Sequence, residues 1–322
     1  MGENSTKKRS FKDYLRIYVV GLIMGAADVV PGVSGGTMAF ILGIYEELIE
    51  SIRKFTSVEA IGMAVRFQIA KAFRTLPWPF LLALGLGILS AIAVLSTPIH
   101  WMLIHEPVLI WAFFFGLVVA SIFAVFGRVR KWNAGAVFAG VVGCAVGWVV
   151  VGLPLLQNPP DNPLYLVLCG AIAICAMILP GISGSFILLL MGKYDYVLSA
   201  VNGIKAGSEI GRNLLTLALF IVGILFGISF FVRLLSWLFR KYHDLTVAVL
   251  IGFMAGSLRK VWPWKSGPES DAVNVMPHDF NVEFWSAIAL ALFGFALVIA
   301  LEAVAKRLER RAAAASQPFP EE

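Results

Sequence analysis

Charge is what this chain has least of. Asp, Glu, Lys and Arg make up 14% of its 322 residues, against roughly a quarter in soluble domains. So little charge excludes an ordinary water-facing surface. Cysteine is scarce as well: Cys144, Cys169 and Cys175 all lie in apolar segments, which excludes a disulfide framework or a cysteine-spaced metal site. The four histidines, His100, His105, His243 and His278, fall at predicted helix ends or in loops. No metal or other cofactor is expected. The N-terminus is polar and basic and lacks a short apolar core with a cleavage site, so no cleavable leader is expected. Met1-Gly2 with Thr6 fits the myristoylation pattern, a pattern short enough to arise by chance.

What is present in excess is apolar residue, at 59%. Runs long enough to cross hydrocarbon lie near 79–103, 107–127, 134–153, 213–239 and 284–305. A shorter run at 245–261 is counted as a sixth span because its partner in the repeat described next is one. Trp78, Trp101, Trp111, Trp132, Trp237, Trp262 and Trp285 sit near predicted span ends, as an interfacial aromatic belt requires. The net charge of +6 comes from basic residues beside the spans, where they fix orientation. It implies no nucleic-acid partner.

One motif occurs twice. Pro31-Gly32-Val33-Ser34-Gly35-Gly36 returns as Pro180-Gly181-Ile182-Ser183-Gly184-Ser185. Residues 21–52 set against 170–201 give nine ungapped identities, Gly21/Gly170, Gly43/Gly192 and Tyr45/Tyr194 among them. Residues 87–121 set against 223–257 give nine more, including Gly87/Gly223, Trp101/Trp237, Gly116/Gly252 and Ser121/Ser257. The chain reads as two copies of one unit, 14–153 and 164–305, each with a Pro-Gly-Ser break in an apolar helix. Paired broken helices in corresponding halves are the best sequence pointer to a transporter's substrate site.

Charge decides how these segments meet the bilayer. If 15–50 and 164–201 are re-entrant hairpins, each copy adds three crossings and the second copy is inverted. With residues 1–13 and the 306–322 tail inside, 19 Lys and Arg residues then face the cytoplasm and 6 face outward. If both broken segments cross fully, the split is 11 inside and 14 outside. Positive charge favours the cytoplasm, so the re-entrant arrangement is predicted. Length agrees, since 36 residues of helix would rise about 54 Å, far beyond the hydrocarbon core. The predicted fold is an all-α polytopic membrane protein of two inverted repeats, each a re-entrant helical hairpin plus three transmembrane helices. The basic, amphipathic 51–77 segment is placed on the inner surface, and 262–283 forms a polar outer loop.

Proline and glycine end the first half-helix at each break, so the second starts near Ser34 or Ser183 with unpaired backbone N–H groups. Lipid cannot satisfy them. A helix start carries partial positive charge and free donors, which suits an anion. Gly32, Gly35, Gly36, Gly181 and Gly184 allow close approach to the backbone, and Ser34, Thr37, Ser183 and Ser185 add hydroxyls. Inversion would bring both tips together near the midplane around one phosphate or carboxylate. The alternative is that Pro-Gly only kinks a packed helix and serine caps it, but two such breaks in lipid favour a site.

Charges within the apolar segments are further candidates. Arg233 is the first candidate for a phosphate partner beyond the tips, set against snorkelling to the interface. Asp28 could carry a coupling cation or proton, pair with a basic residue, or accept an N–H from a neighbouring tip. Glu46, Glu47, Lys193 and Asp195 are candidates for coupling or gating, with plain interfacial placement the alternative for the two glutamates. Gly143/Gly147, Gly223/Gly227 and Gly252/Gly256 have the spacing of helix-packing faces, which would also allow a homodimer.

Gly25-Ala26-Ala27-Asp28-Val29-Val30-Pro31-Gly32-Val33-Ser34-Gly35-Gly36-Thr37 and Leu179-Pro180-Gly181-Ile182-Ser183-Gly184-Ser185 resemble the bacterial polyprenyl-phosphate transporters (PopT), formerly classed as a domain of unknown function. The resemblance runs from about residue 14 to 305. It implies an inner-membrane flippase, not an enzyme, that returns undecaprenyl phosphate from the outer to the inner leaflet for peptidoglycan and other envelope polymers. The substrate head group would dock at the tips while its tail stays in lipid. The second copy carries Met177 in place of Asp28 and Phe186 in place of Thr37, so the two tips are chemically unequal. Two rival readings share parts of this pattern. A secondary transporter of a small soluble anion would use the same tips. An intramembrane serine hydrolase would use Gly-Val-Ser-Gly, but it needs a base in reach of the serine, and no histidine is predicted at tip depth.

Overall fold

The computed structural model describes residues 9–29, 34–68, 71–72, 75–267, 273–277 and 279–315. These are almost wholly helical, apart from a two-residue antiparallel ribbon of β1 (Lys265–Ser266) and β2 (Val273–Asn274) in the predicted outer loop. The sequence punctuates the helices legibly. α1 (Phe11–Asp28) opens on a capping box: the Ser10 hydroxyl accepts the Asp13 N–H while the Asp13 carboxylate accepts the Ser10 N–H. Then come α2 (Gly35–Ile41), α3 (Tyr45–Phe55), α4 (Val58–Val65) and α5 (Trp78–His105). Pro107 opens α6 (Pro107–Phe126), where its missing N–H does no harm. Asn133 and Asn162 cap α7 (Ala134–Val151) and α8 (Pro163–Ile178) by accepting the Ala136 and Tyr165 N–H groups. The chain closes with α9 (Gly184–Leu190), α10 (Tyr194–Lys205), α11 (Ile210–Lys241), α12 (His243–Ser257) and α13 (Val282–Ala315).

Among the described residues five helices are long and apolar enough to cross a membrane: α5, α6, α7, α11 and residues 282–304 of α13. They fall on the five long runs expected from sequence. The 245–261 run forms α12, only 15 residues long, which rises about 22 Å.

The helix order is repeated. The series α1-α2-α3 followed by α5, α6 and α7 is matched by α8-α9-α10 followed by α11, α12 and α13. Packing follows the same rule twice. α1 packs along α5 as α8 does along α11, whereas α6 packs on α13 and α7 on α12. The copies therefore exchange partners: the middle long helix of each lies against the last helix of the other.

The repeated glycines mark these crossings. A Cβ on Gly87 would overlap the Tyr18 carbonyl, and one on Gly223 the Val167 carbonyl. In the exchanged pairs, Gly116 lies against Ala291 and Gly252 against Gly140. Gly143, Gly227 and Gly256 meet other helices of the same chain in the same way. Small residues let backbones approach where lipid gives no hydrophobic drive to pack. These faces are used within the chain, so a homodimer would need another surface.

One boundary departs from expectation. The helix that follows each break is not continuous but stops after seven residues. Gly43 (φ +77°) and Gly192 (φ +68°) end α2 and α9 in the left-handed conformation. The Ile44 N–H then bonds the Ala39 carbonyl and the Lys193 N–H the Leu188 carbonyl, the double-bonded helix stop that glycine favours. After it, α10 leaves α9 at 109°.

Candidate functional site

At the first break α1 ends on Asp28, and Pro31 and Gly32 lie outside the described residues. The chain resumes at Ser34 in extended conformation and enters α2. The donors of the first turn of α2 have protein partners. Asp28 Oδ1 accepts the Gly35 N–H at 2.6 Å, Ser34 Oγ accepts the Gly36 N–H at 3.1 Å, and the Ser34 carbonyl accepts the Thr37 N–H at 2.9 Å. Ser34 is 1% exposed and Thr37 0%. The Asp28 carboxylate thus sits where an anionic ligand of this tip would sit.

The second break also leads from the end of one helix into a serine-capped seven-residue helix, but it is finished differently. Gly181 takes φ +93° while packed against Met254 and Ser257; a Cβ there would be both strained and crowded. Ser183 caps α9 in extended conformation without a side-chain bond to the backbone, and its Oγ instead lies 2.7 Å from Ser185 Oγ. Met177 stands in the place of Asp28, against Gly184. Among the described residues no acceptor pairs with the N–H groups of Gly184, Ser185 or Phe186. Ser183 is buried and Ser185 exposed. Lys260 Nζ lies 4.5 Å over the Phe186 ring, and the next-door Arg259 guanidinium covers Trp148.

The two breaks touch. Thr37 Oγ1 accepts the Gly181 N–H at 3.0 Å. The Ser34 hydroxyl lies 3.3 Å from the Leu179 carbonyl and 3.4 Å from that of Met177, and the Tyr45 hydroxyl donates to the Ile178 carbonyl at 3.0 Å. The last carbonyls of a helix have no partner within it; Ser34 and Tyr45 supply partners for the end of α8. Tyr45 is fully enclosed, in ring contact with Phe40 and Phe239.

Of the residues expected around one anion, the structure sets Ser34, Gly36 and Thr37 against residues 177–181 of the second break and Gly35 on Asp28, and places Ser183, Gly184 and Ser185 further on, at the start of α9. It engages the first four with protein, and among the described residues hydroxyls and backbone donors stay open at Ser183–Ser185. Tyr45 was missed as a site residue. Its signal was its repeat as Tyr194, but nothing in the sequence showed that it reaches the other break.

The charged candidates are spread more widely. Arg233 donates to the Ser229 carbonyl at 2.8 Å and to the Thr56 carbonyl, and lines a groove on α11 that contains no break residue. Glu47 pairs with Arg9, and Glu46 lies 3.6 Å from His243 Nε2. Asp244 accepts the backbone N–H groups of Arg130 and Lys131, and its bonds from His243 and Arg130 hold its carboxyl below the ordinary range. Lys193 is buried, with Nζ 3.3 Å from Asp161 and over the Tyr196 ring. Asp195 is exposed at the start of α10. Neither break serine has a histidine in hydrogen-bond reach among the described residues, and no group of three His, Cys, Asp or Glu there could hold a metal ion.

A family described as undecaprenyl phosphate translocase-like matches residues 24–278. The chain is 40% identical over 315 residues to the polyprenyl-phosphate transporter of Vibrio cholerae serotype O1, covering 92% of this chain and 98% of the relative. It is 30% identical over 260 residues to the polyprenyl-phosphate transporter of Staphylococcus aureus, covering 76% and 84%. No solved structure matches significantly.

Proposed function

We propose that this chain, which belongs to the polyprenyl-phosphate transporter family, is a multi-pass membrane transporter that carries a polyprenyl phosphate such as undecaprenyl phosphate between leaflets. In this reading the bacterial inner membrane holds two inverted repeats, 14–153 and 164–305. Their broken segments 15–50 and 164–201 are re-entrant from opposite faces, and both termini are cytoplasmic. The lipid returns from the outer to the inner leaflet, where it is reused in cell-envelope synthesis.

The observation that carries the site is the inequality of the breaks. The first is closed on itself by Asp28. The second has the Ser183–Ser185 hydroxyl pair and three backbone donors with no acceptor among the described residues, in the company of Lys260. The phosphate docks at the second break, and Asp28 substitutes for it at the first. Ser185 shares its exposed face of α9 with Leu189, beside the exposed Met177. An apolar surround open to lipid suits a substrate with an isoprenoid tail better than a small soluble anion, which would need an aqueous cavity. As one repeat rocks against the other, the Arg9–Glu47 and Glu46–His243 contacts on one side and Lys193–Asp161 on the other would part in turn. These contacts are the proposed gates.

The test is translocation in proteoliposomes carrying polyprenyl phosphate in both leaflets. A phosphatase added outside should consume only the outer-leaflet lipid in empty vesicles, and nearly all of it when the protein is present. Ser183→Ala with Ser185→Ala should slow the second phase. Wild-type protein that exposes no inner-leaflet lipid would overturn the function; a double variant at full rate would overturn the site.

A further inference from the structure

The open groove on the outward face of α11 has a volume of about 490 Å³ and is lined by Phe226, Ser229, Phe230, Arg233, Leu234 and Trp237. Phe226 and Phe230 are 67% and 61% exposed. None of the six belongs to either break. The position of the groove along α11 is informative. Residues 214–232 form an uncharged run of 19 residues bounded by Arg212-Asn213 and by Arg233. Such a run rises about 28 Å, close to the thickness of the hydrocarbon core. If this run, rather than the whole 213–239 segment, is what crosses the hydrocarbon, then with Arg212 at one interface Arg233 falls at the other, near the depth of the lipid phosphates. Trp237 follows one turn further out, where interfacial tryptophan belongs, and Lys241 Nζ lies 5.5 Å from its ring.

Arg233 is also held in place. Its bonds to the Ser229 and Thr56 carbonyls use two of the five N–H groups of a guanidinium. They leave a fixed planar cation at the mouth of an apolar groove. Phe226 and Phe230 continue that groove one to two turns deeper into the hydrocarbon.

We infer that this groove is a binding site for an anionic glycerophospholipid of the leaflet at the C-terminal end of α11. Its phosphate bonds the Arg233 guanidinium, with Lys241 beyond it adding positive charge, and an acyl chain lies along Phe226 and Phe230. The occupant is a resident lipid rather than the transported one, because the groove lies on an exposed face of α11 and none of its lining residues belongs to either break. Since Arg233 also bonds the Thr56 carbonyl just past α3, the lipid phosphate joins α11 to the end of α3.

The test is native mass spectrometry of the full-length protein in mild detergent, with phosphatidylglycerol, phosphatidylcholine or undecaprenyl phosphate added separately. Wild type should retain phosphatidylglycerol over phosphatidylcholine. Arg233→Gln should reduce that retention about fivefold, the worth of one cation at a membrane surface, and Arg233→Lys should restore part of it. Arg212→Gln, at the other end of the run, should change nothing. A second measurement needs no variant: titrated phosphatidylglycerol, unlike phosphatidylcholine, should raise the wild-type unfolding midpoint. Equal retention by wild type and Arg233→Gln would overturn the inference, as would equal midpoints with both lipids. Arg233-dependent retention of undecaprenyl phosphate but not of phosphatidylglycerol would assign the groove to the substrate and overturn it too.

Discussion

Thr37 Oγ1 accepts the backbone N–H of Gly181 at 3.0 Å, a bond between residues 144 apart that fastens one break to the other. Both residues are buried, so neither group can turn to water if the bond is lost. Thr37→Val keeps the shape and removes the acceptor. It should cost about 1–3 kcal/mol, the penalty of a buried unpaired donor, and lower the unfolding midpoint in detergent. Thr37→Ser keeps the hydroxyl and should stay near wild type. An unchanged midpoint for the valine variant would mean that Gly181 has another acceptor.

The second prediction exploits Asp28. Its carboxylate occupies the first tip by bonding the Gly35 N–H, and Met177 holds the matching place beside Gly184. Met177→Asp should put a carboxylate on the open donors of the second break and abolish translocation in the phosphatase assay while the protein remains folded. Met177→Leu, similar in volume, should remain active. Asp28→Asn keeps an oxygen for Gly35 and should fold as wild type, whereas Asp28→Ala should lose about 1–3 kcal/mol. If Met177→Asp transported normally, the phosphate would not dock at those donors.

Much of this was legible in the sequence because it is local. Proline and glycine announced both breaks, Ser34 and Ser183 announced the helix starts, and the Asp28/Met177 difference foretold unequal tips. The rest depends on which distant segment comes to lie against a residue. The identity of Gly43 and Gly192 was visible, but in an apolar run a helix-stopping glycine reads like a packing glycine. The bonds of Tyr45, Ser34 and Thr37 to the second break join residues more than 130 positions apart, and no local pattern encodes them. For Arg233 the sequence left phosphate binding and snorkelling both open. The exposed groove and the two carbonyl bonds now place it on α11 away from the breaks.

The exchanged packing of the repeats gives a third prediction. Gly252 lies against Gly140 where α12 crosses α7, and Gly116 against Ala291 where α6 crosses α13. Gly252→Val or Gly116→Val should force the crossing helices apart. Overpacking of this kind costs about 1–3 kcal/mol or more, and should appear as a lower unfolding midpoint and a lower yield of monodisperse protein. Gly85→Ala, on a face of α5 with open space around it, should be neutral or slightly stabilising. Matching effects at 116 and 252 would support their equivalence in the repeat. Tolerance of valine at both would show that the helices do not cross at these glycines.

The proposed inversion of the second repeat makes a fourth prediction, which rests on the α6–α7 loop. If the broken segments are re-entrant, Lys131 is cytoplasmic together with Ser10, and Ser208 is external. If the broken segments cross fully, Ser10 stays inside and Ser208 outside, but Lys131 moves outside. All three residues are exposed, so each accepts a reporter without disturbing the core. In a background lacking Cys144, Cys169 and Cys175, the variants Ser10→Cys, Lys131→Cys and Ser208→Cys would be treated in intact cells with a membrane-impermeant maleimide. Ser208→Cys should label, while Ser10→Cys and Lys131→Cys should label only after the cells are opened. Lys131 is the discriminating site, because Arg128, Arg130 and Lys131 form a basic cluster that strongly prefers the cytoplasm. Labelling of Lys131→Cys in intact cells would show that the broken segments cross the bilayer and would remove the inversion of the second repeat.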